Sequence, residues 1–147
     1  MYDKALDLLE LRDHSRREIF DKLIAKYGYD KRDMANDVCD RLVENGLLDD
    51  ERFARTYADE LVRRKHVSQK GLRAALSAKG IDKSIIDIIL DEMELDPIES
   101  INYLLDTKFK NRDLFDEKQC DKTINALYRL GFSLSDIKNV ITNRQNS

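Results

Sequence analysis

The chain has no tryptophan, one proline (Pro97), two cysteines, two histidines and five glycines in 147 residues, and each scarcity excludes something. No β-branched run alternates with polar residues, so a sheet is not expected. No apolar stretch approaches the ~20 residues a membrane helix needs. The opening Met1-Tyr2-Asp3-Lys4 lacks the charged-then-apolar plan of a secretory leader, so a cytoplasmic location without membrane contact is expected. Cys39 and Cys120 sit far apart within helical patterns and read as free, buried or half-buried thiols. His14 and His66 have no partner at metal spacing and read as solvated loop residues. No glycine-rich phosphate loop and no Gly-x-Ser-x-Gly elbow occurs. Asp49-Asp50-Glu51 reads as a helix start, where negative charge is favourable, rather than as a metal cluster. Neither catalysis, nor a metal, nor a cofactor is therefore expected.

What is present is helical. Hydrophobic residues make up 41% and charged residues 37% of the chain, a mix suited to amphipathic helices with thin cores and wet outer faces. A first helix spans roughly 3–12, with Ala5, Leu6, Leu9 and Leu8 inward. Ser15 with Glu18 forms a capping box, followed by Ile19, Leu23 and Ile24 at helical spacing. Gly28 ends that helix, Tyr29 plugs the core and Asp30 caps the next helix, whose stripe is Met34, Val38, Cys39 and Leu42. Gly46 stops it, Leu47 and Leu48 tuck back onto the bundle, and Asp49 or Asp50 caps a helix carrying Phe53, Tyr57 and Leu61. Ser68 opens a helix with Leu72, Ala75 and Leu76 inward. Gly80, Ile81 and Asp82 lead to Ile85, Ile86, Ile89 and Leu90. Asp96-Pro97-Ile98-Glu99 is a helix start, with a cap, proline at the first helical position and an acid at the third. Ile101, Leu104, Leu105 and Phe109 follow. Asp116 with Gln119 suggests a second capping box, followed by Ile124, Leu127 and Leu130. Gly131, Phe132 and Ser133 then lead to Ile137, Val140 and Ile141.

One plan recurs through this list. Three times a helix ends in glycine, then an apolar residue, then an Asp or Ser cap: Gly28-Tyr29-Asp30, Gly80-Ile81-Asp82 and Gly131-Phe132-Ser133. A sharp corner between helices explains the pattern. Glycine turns it, the apolar residue pins it and the cap restarts the helix. The expected fold is all-α, three tandem three-helix repeats over 1–49, 50–94 and 95–147 forming an elongated, curved chain.

Charge is placed unevenly. Between residues 61 and 80 the chain carries Arg63, Arg64, Lys65, Lys70, Arg73 and Lys79 and no acid. Between 81 and 106 it carries eight acids against Lys83 alone. The basic segment is the candidate surface for a polyanion or an acidic partner. Nearby aromatics, Phe53 and Tyr57, are spaced as core, so stacking of bases has little support.

These residues, taken in order, resemble the RecX family of bacterial recombination regulators. The resemblance rests on Ala5-Leu6 with Leu9, Ser15-Arg16 with Glu18, Leu23 with Lys26, Leu42 with Gly46 through Ala54, Leu76 with Lys79-Gly80-Ile81-Asp82, and Leu130-Gly131-Phe132 with Ile137. Where the family pattern places a glycine after the basic run, this chain has His66-Val67-Ser68. The resemblance implies a monomer that binds the RecA recombinase and its filament on single-stranded DNA. It also implies lower ATPase, strand-exchange and co-protease activity; the departure at His66-Val67-Ser68 leaves only a weak direct DNA contact expected beside the protein contact. Two other readings are a helix-turn-helix DNA-binding regulator and a structural adaptor without nucleic acid. The acids on the third helices (Asp37, Asp40, Glu44; Asp87, Asp91, Glu92) oppose the first of these, because phosphates would repel them.

Overall fold

A computed structural model describes the chain from Met1 to Ser147 as nine α-helices and no strand. They are α1 (Tyr2–Leu11), α2 (Arg16–Tyr27), α3 (Arg32–Glu44), α4 (Asp50–Lys65), α5 (Gln69–Ala78), α6 (Lys83–Glu92), α7 (Pro97–Asp106), α8 (Glu117–Arg129) and α9 (Leu134–Gln145), with one 3-10 turn at Tyr29–Lys31. The all-helical expectation holds. The residues gather into two compact units, Met1–Ala58 with Ala75–Ile89 and Asp59–Ala74 with Leu90–Ser147.

In the first unit the core is Ala5, Leu8, Ile19, Leu23, Ala35, Val38, Cys39, Leu42 and Leu48. The capping box at Ser15 and Glu18 forms as expected. Several single positions differ from expectation, each for a geometric reason. Leu8, three residues after Ala5, is buried, while Leu6 and Leu9 lie partly buried at the margin. Ala35 replaces Met34 in the α3 stripe, because 35, 38, 39 and 42 keep helical spacing and 34 falls one position off it. Tyr29 is 68% exposed rather than a plug. The 3-10 turn carries its ring outward, where the Arg32 guanidinium lies 5.0 Å from the ring centre. Asp30 sits inside that turn, and α3 starts behind Lys31 without a side-chain cap. Both Leu47 and Leu48 donate backbone N–H bonds to Leu42 O (2.9 and 3.2 Å), yet only Leu48 is buried, Leu47 being 43% exposed. Asp49 caps α4 by accepting from Arg52 N–H (3.1 Å), and Asp50 instead accepts from Arg16 N–H at the start of α2 (2.8 Å).

His14, expected in solvent, is 1% exposed. Its Nδ1–H donates to Arg12 O (2.9 Å) and its Nε2 accepts from Lys22 Nζ (3.3 Å), so the neutral ring is fully satisfied. Burial holds its pKa below the usual histidine value, despite the backbone bond to Arg12.

In the second unit Ile101, Leu104, Leu105, Phe109, Leu127, Phe132, Ile137, Val140 and Ile141 form the core. Asp96 and Ser133 cap α7 and α9. Asp116 caps α8, but Gln119 accepts from Asp113 N–H, so the box is only half made. Leu130, expected inward, is exposed, and the buried positions of α8 are Thr123 and Leu127.

A paired device recurs in the two units. Ser15 caps α2 by accepting from Glu18 N–H, and its own hydroxyl donates to Lys79 O (2.7 Å). Ser68 caps α5 by accepting from Gly71 N–H, and its hydroxyl donates to Leu130 O (2.7 Å). Each serine thus closes on the carbonyl just before a glycine corner. At Gly131 the backbone has φ 103°, and an added Cβ would run into Ser68 Oγ and lie 3.1 Å from Lys70 Cβ. Gly131→Ala should therefore lower the stability of this unit by about 2 kcal/mol or more, combining left-handed strain with loss of the clasp. Thermal unfolding followed by circular dichroism checks this.

Candidate functional site

The basic segment begins on the last turns of α4. Acids placed four residues before bases form ion pairs along that helix: Glu51–Arg55 (3.0 Å), Asp59–Arg63 (3.2 Å) and Glu60–Arg64 (3.1 Å). Exposed pairs of this kind contribute only about 0.3–0.5 kcal/mol each. Arg63 and Arg64 keep 72% and 76% of their side-chain surface exposed. Cations here also suit the negative end of the helix dipole. Lys65 completes the cationic helix end and is exposed.

α4 ends at His66, which has φ 50°, a left-handed conformation in a residue with a Cβ. The His66 ring lies face to face with the Tyr103 ring of α7, centroids 3.7 Å apart and planes at 21°. Arg64, Lys65 and Lys108 stand around this stack in a cleft of ≈ 460 Å³ floored by Val67, Leu104 and Phe132. Lys70 and Arg73, at the start of α5, line a neighbouring cleft of ≈ 380 Å³ with Pro97, Ser133 and Asp136.

Five of the six cations singled out in the sequence, Arg63, Arg64, Lys65, Lys70 and Arg73, therefore belong to the second unit. Lys79 belongs to the first. Its ammonium is 3.0 Å from Glu18 and lies 5.5 Å over the Tyr57 ring. Glu18 is the hub there, bonded also by Arg12 (2.9 Å) and Ser15 N–H (3.1 Å), with 12% of its side chain exposed. Burial pushes this carboxyl up, and the three donors more than reverse it, bringing its pKa down to about 2.

Tyr103 and Lys108 carry no local signal for the site. Tyr103 sits two residues past Ile101, off the 101/104/105 stripe, which marks it only as outward-facing. Its partner is 37 positions away in the chain. No group of three His, Cys, Asp or Glu is placed to hold a metal ion. Both cysteines are free, and burial raises their pKa values, keeping them protonated thiols. No helix is long and apolar enough to cross a membrane.

Nine helices, serine-to-carbonyl clasps at two glycine corners and an exposed cationic helix end define an all-helical protein of tandem three-helix domains. Residues 2–42 match the family model of the first three-helix domain of RecX, and residues 49–90 match that of the second. The chain belongs to the RecX family. It is 31% identical over 137 residues to the regulatory protein RecX of Vibrio campbellii, covering 92% of this chain and 85% of that one. It is 39% identical over 90 residues to the RecX of Chlorobium limicola, covering 61% of this chain and 55% of that one. Two crystal structures share the fold. The RecX of Lactobacillus salivarius has a TM-score of 0.72 at 22% identity, covering 99% of this chain and 95% of that one. Another regulatory protein RecX has a TM-score of 0.76 at 23% identity, covering 95% and 68%.

Proposed function

We propose that this protein regulates the RecA recombinase by binding its filament on single-stranded DNA, lowering ATP hydrolysis, strand exchange and co-protease activity. It acts as a cytoplasmic monomer, without a cofactor and without chemistry of its own. Its working repeats are 1–49, 50–94 and 95–147. Membership of a family of regulatory proteins supports this reading. The observation that carries it is the cationic end of α4, where Arg63, Arg64 and Lys65 are all exposed in the last turn. Such a surface attracts an acidic filament face or DNA phosphates, and its occupancy blocks what would otherwise dock there. Lys79, held by Glu18, adds little to that field.

The helix-turn-helix reading is disfavoured because Asp37, Asp40 and Glu44 on α3 and Asp91 and Glu92 on α6 are exposed. The test is recombinase ATPase on single-stranded DNA with and without this protein. Reversing Arg63, Arg64 and Lys65 to Glu together should raise the inhibitory concentration at least about tenfold and flatten its salt dependence. Stability should fall by only about 1–3 kcal/mol, from the reversed dipole interaction and the like-charge neighbours at Asp59 and Glu60, so the fold is kept. Undiminished inhibition by the triple variant would remove the α4 end from the contact.

A further inference from the structure

We propose that the His66–Tyr103 cleft is a stacking site for a base of single-stranded nucleic acid, with Arg64, Lys65 and Lys108 taking the flanking phosphates. The inference rests on the reading above only in placing such a strand within the protein's reach.

Three observations point to it. First, His66 closes α4 as a left-handed helix stop (φ 50°), its N–H donating to Val62 O (3.2 Å), and this places the imidazole flat on Tyr103. Second, the stack reaches solvent. Tyr103 is 42% exposed beside an open, apolar-floored cleft. The backbone under the ring is fixed, because Thr107 Oγ1 donates to Tyr103 O (2.8 Å). Third, the lining residues include three cations and no carboxylate. Arg64 is held only by an exposed pairing with Glu60, which a phosphate displaces easily.

The combination selects the ligand. Aromatic faces beside cations are how single strands are held, since every base has a π-face and every linkage a charge. A duplex keeps its base faces stacked inside and offers none to Tyr103. An acidic peptide would satisfy the cations but leave the rings idle. The volume, ≈ 460 Å³, falls within the roughly 300–1,000 Å³ of small-ligand clefts and suits one nucleotide unit.

The test uses the full chain and no recombinase: fluorescence anisotropy of a labelled oligothymidylate, with an abasic strand of equal length as the comparison. The wild type should prefer the oligothymidylate. Tyr103→Ala and His66→Gly should each weaken binding by about 5- to 100-fold, and Tyr103→Phe should bind as the wild type does. His66→Gly relieves the backbone and should not lower thermal stability, so its loss of affinity cannot be ascribed to unfolding. Lys108→Gln should weaken both strands alike. The proposal is overturned if the wild type binds neither strand, if it binds the two equally, if the ring variants bind normally, or if polyglutamate displaces the strand at equal charge concentration. Recombinase ATPase reports separately. Inhibition without strand binding ends this inference alone, and strand binding without inhibition ends the regulatory reading alone.

Discussion

Leu48→Asp should unfold the first unit, whereas Leu47→Asp should leave it intact. Leu48 is 2% exposed among Leu8, Ile19, Leu23 and Leu42. Losing its burial costs about 1.5–3 kcal/mol, and an unpaired carboxylate in an apolar core costs several more. The sum is about 5 kcal/mol or more, comparable with the roughly 5–15 kcal/mol that holds a whole domain together. The neighbouring residue faces the other way and should tolerate the charge within about 1 kcal/mol. Hydrogen exchange by mass spectrometry distinguishes the two. Amides of α2 and α3 should lose protection in Leu48→Asp only, while the separate core of Ile101, Leu127 and Ile137 stays protected in both. Equal protection of α2 and α3 in the two variants would refute the assignment.

Acid should dismantle the same unit, and Glu18 should account for most of the effect. Its folded pKa, about 2, lies below the ordinary 4.5. A depressed carboxyl contributes stability that is complete above its unfolded pKa and fades as pH falls toward the folded one. A gap of that size corresponds to about 2–3 kcal/mol, allowing for the exposure of Arg12. Glu18→Gln keeps the shape and removes the charge, leaving Lys79 and Arg12 without their anion. It should lower stability at neutral pH by that amount. The deficit should then shrink between pH 4.5 and 2, where the wild-type carboxyl takes up its own proton. His14 adds an earlier step common to both proteins. Its depressed pKa means that stability is lost as pH drops below the unfolded value of ~6.5. Urea denaturation across this pH range measures both steps. A deficit for Glu18→Gln that stays constant with pH would show that the hub acts by shape alone.

Local punctuation was legible in the sequence. The capping box at Ser15, the Asp96-Pro97 start and the corners at Gly80 and Gly131 each depend on residues within one turn of each other, and Ile81 and Phe132 are buried as the pattern requires. The same corner at Gly28 misled, because a 3-10 turn rotated Tyr29 outward. Leu47 and Leu48 show the limit at an irregular link, where hydropathy cannot say which of two adjacent leucines turns in. His14 looked like solvent because its two partners, Arg12 O and Lys22 Nζ, are a carbonyl and a cation that no spacing rule marks. The candidate cleft is half visible in the sequence: its cations stand in one run, but the aromatic partner lies 37 residues on, and the pairing of Lys79 with Glu18 joins positions 61 residues apart. Segregation by unit is a property of tertiary contacts, which charge runs do not encode.

The serine clasps also set a timetable for synthesis. The Ser15 hydroxyl must wait for a carbonyl 64 residues downstream, and that of Ser68 for one 62 residues downstream. A ribosome adding about 5–20 residues per second delivers each partner roughly 3–13 s after its serine. During that interval the nascent protein carries an unfinished seam that only later translation can shut.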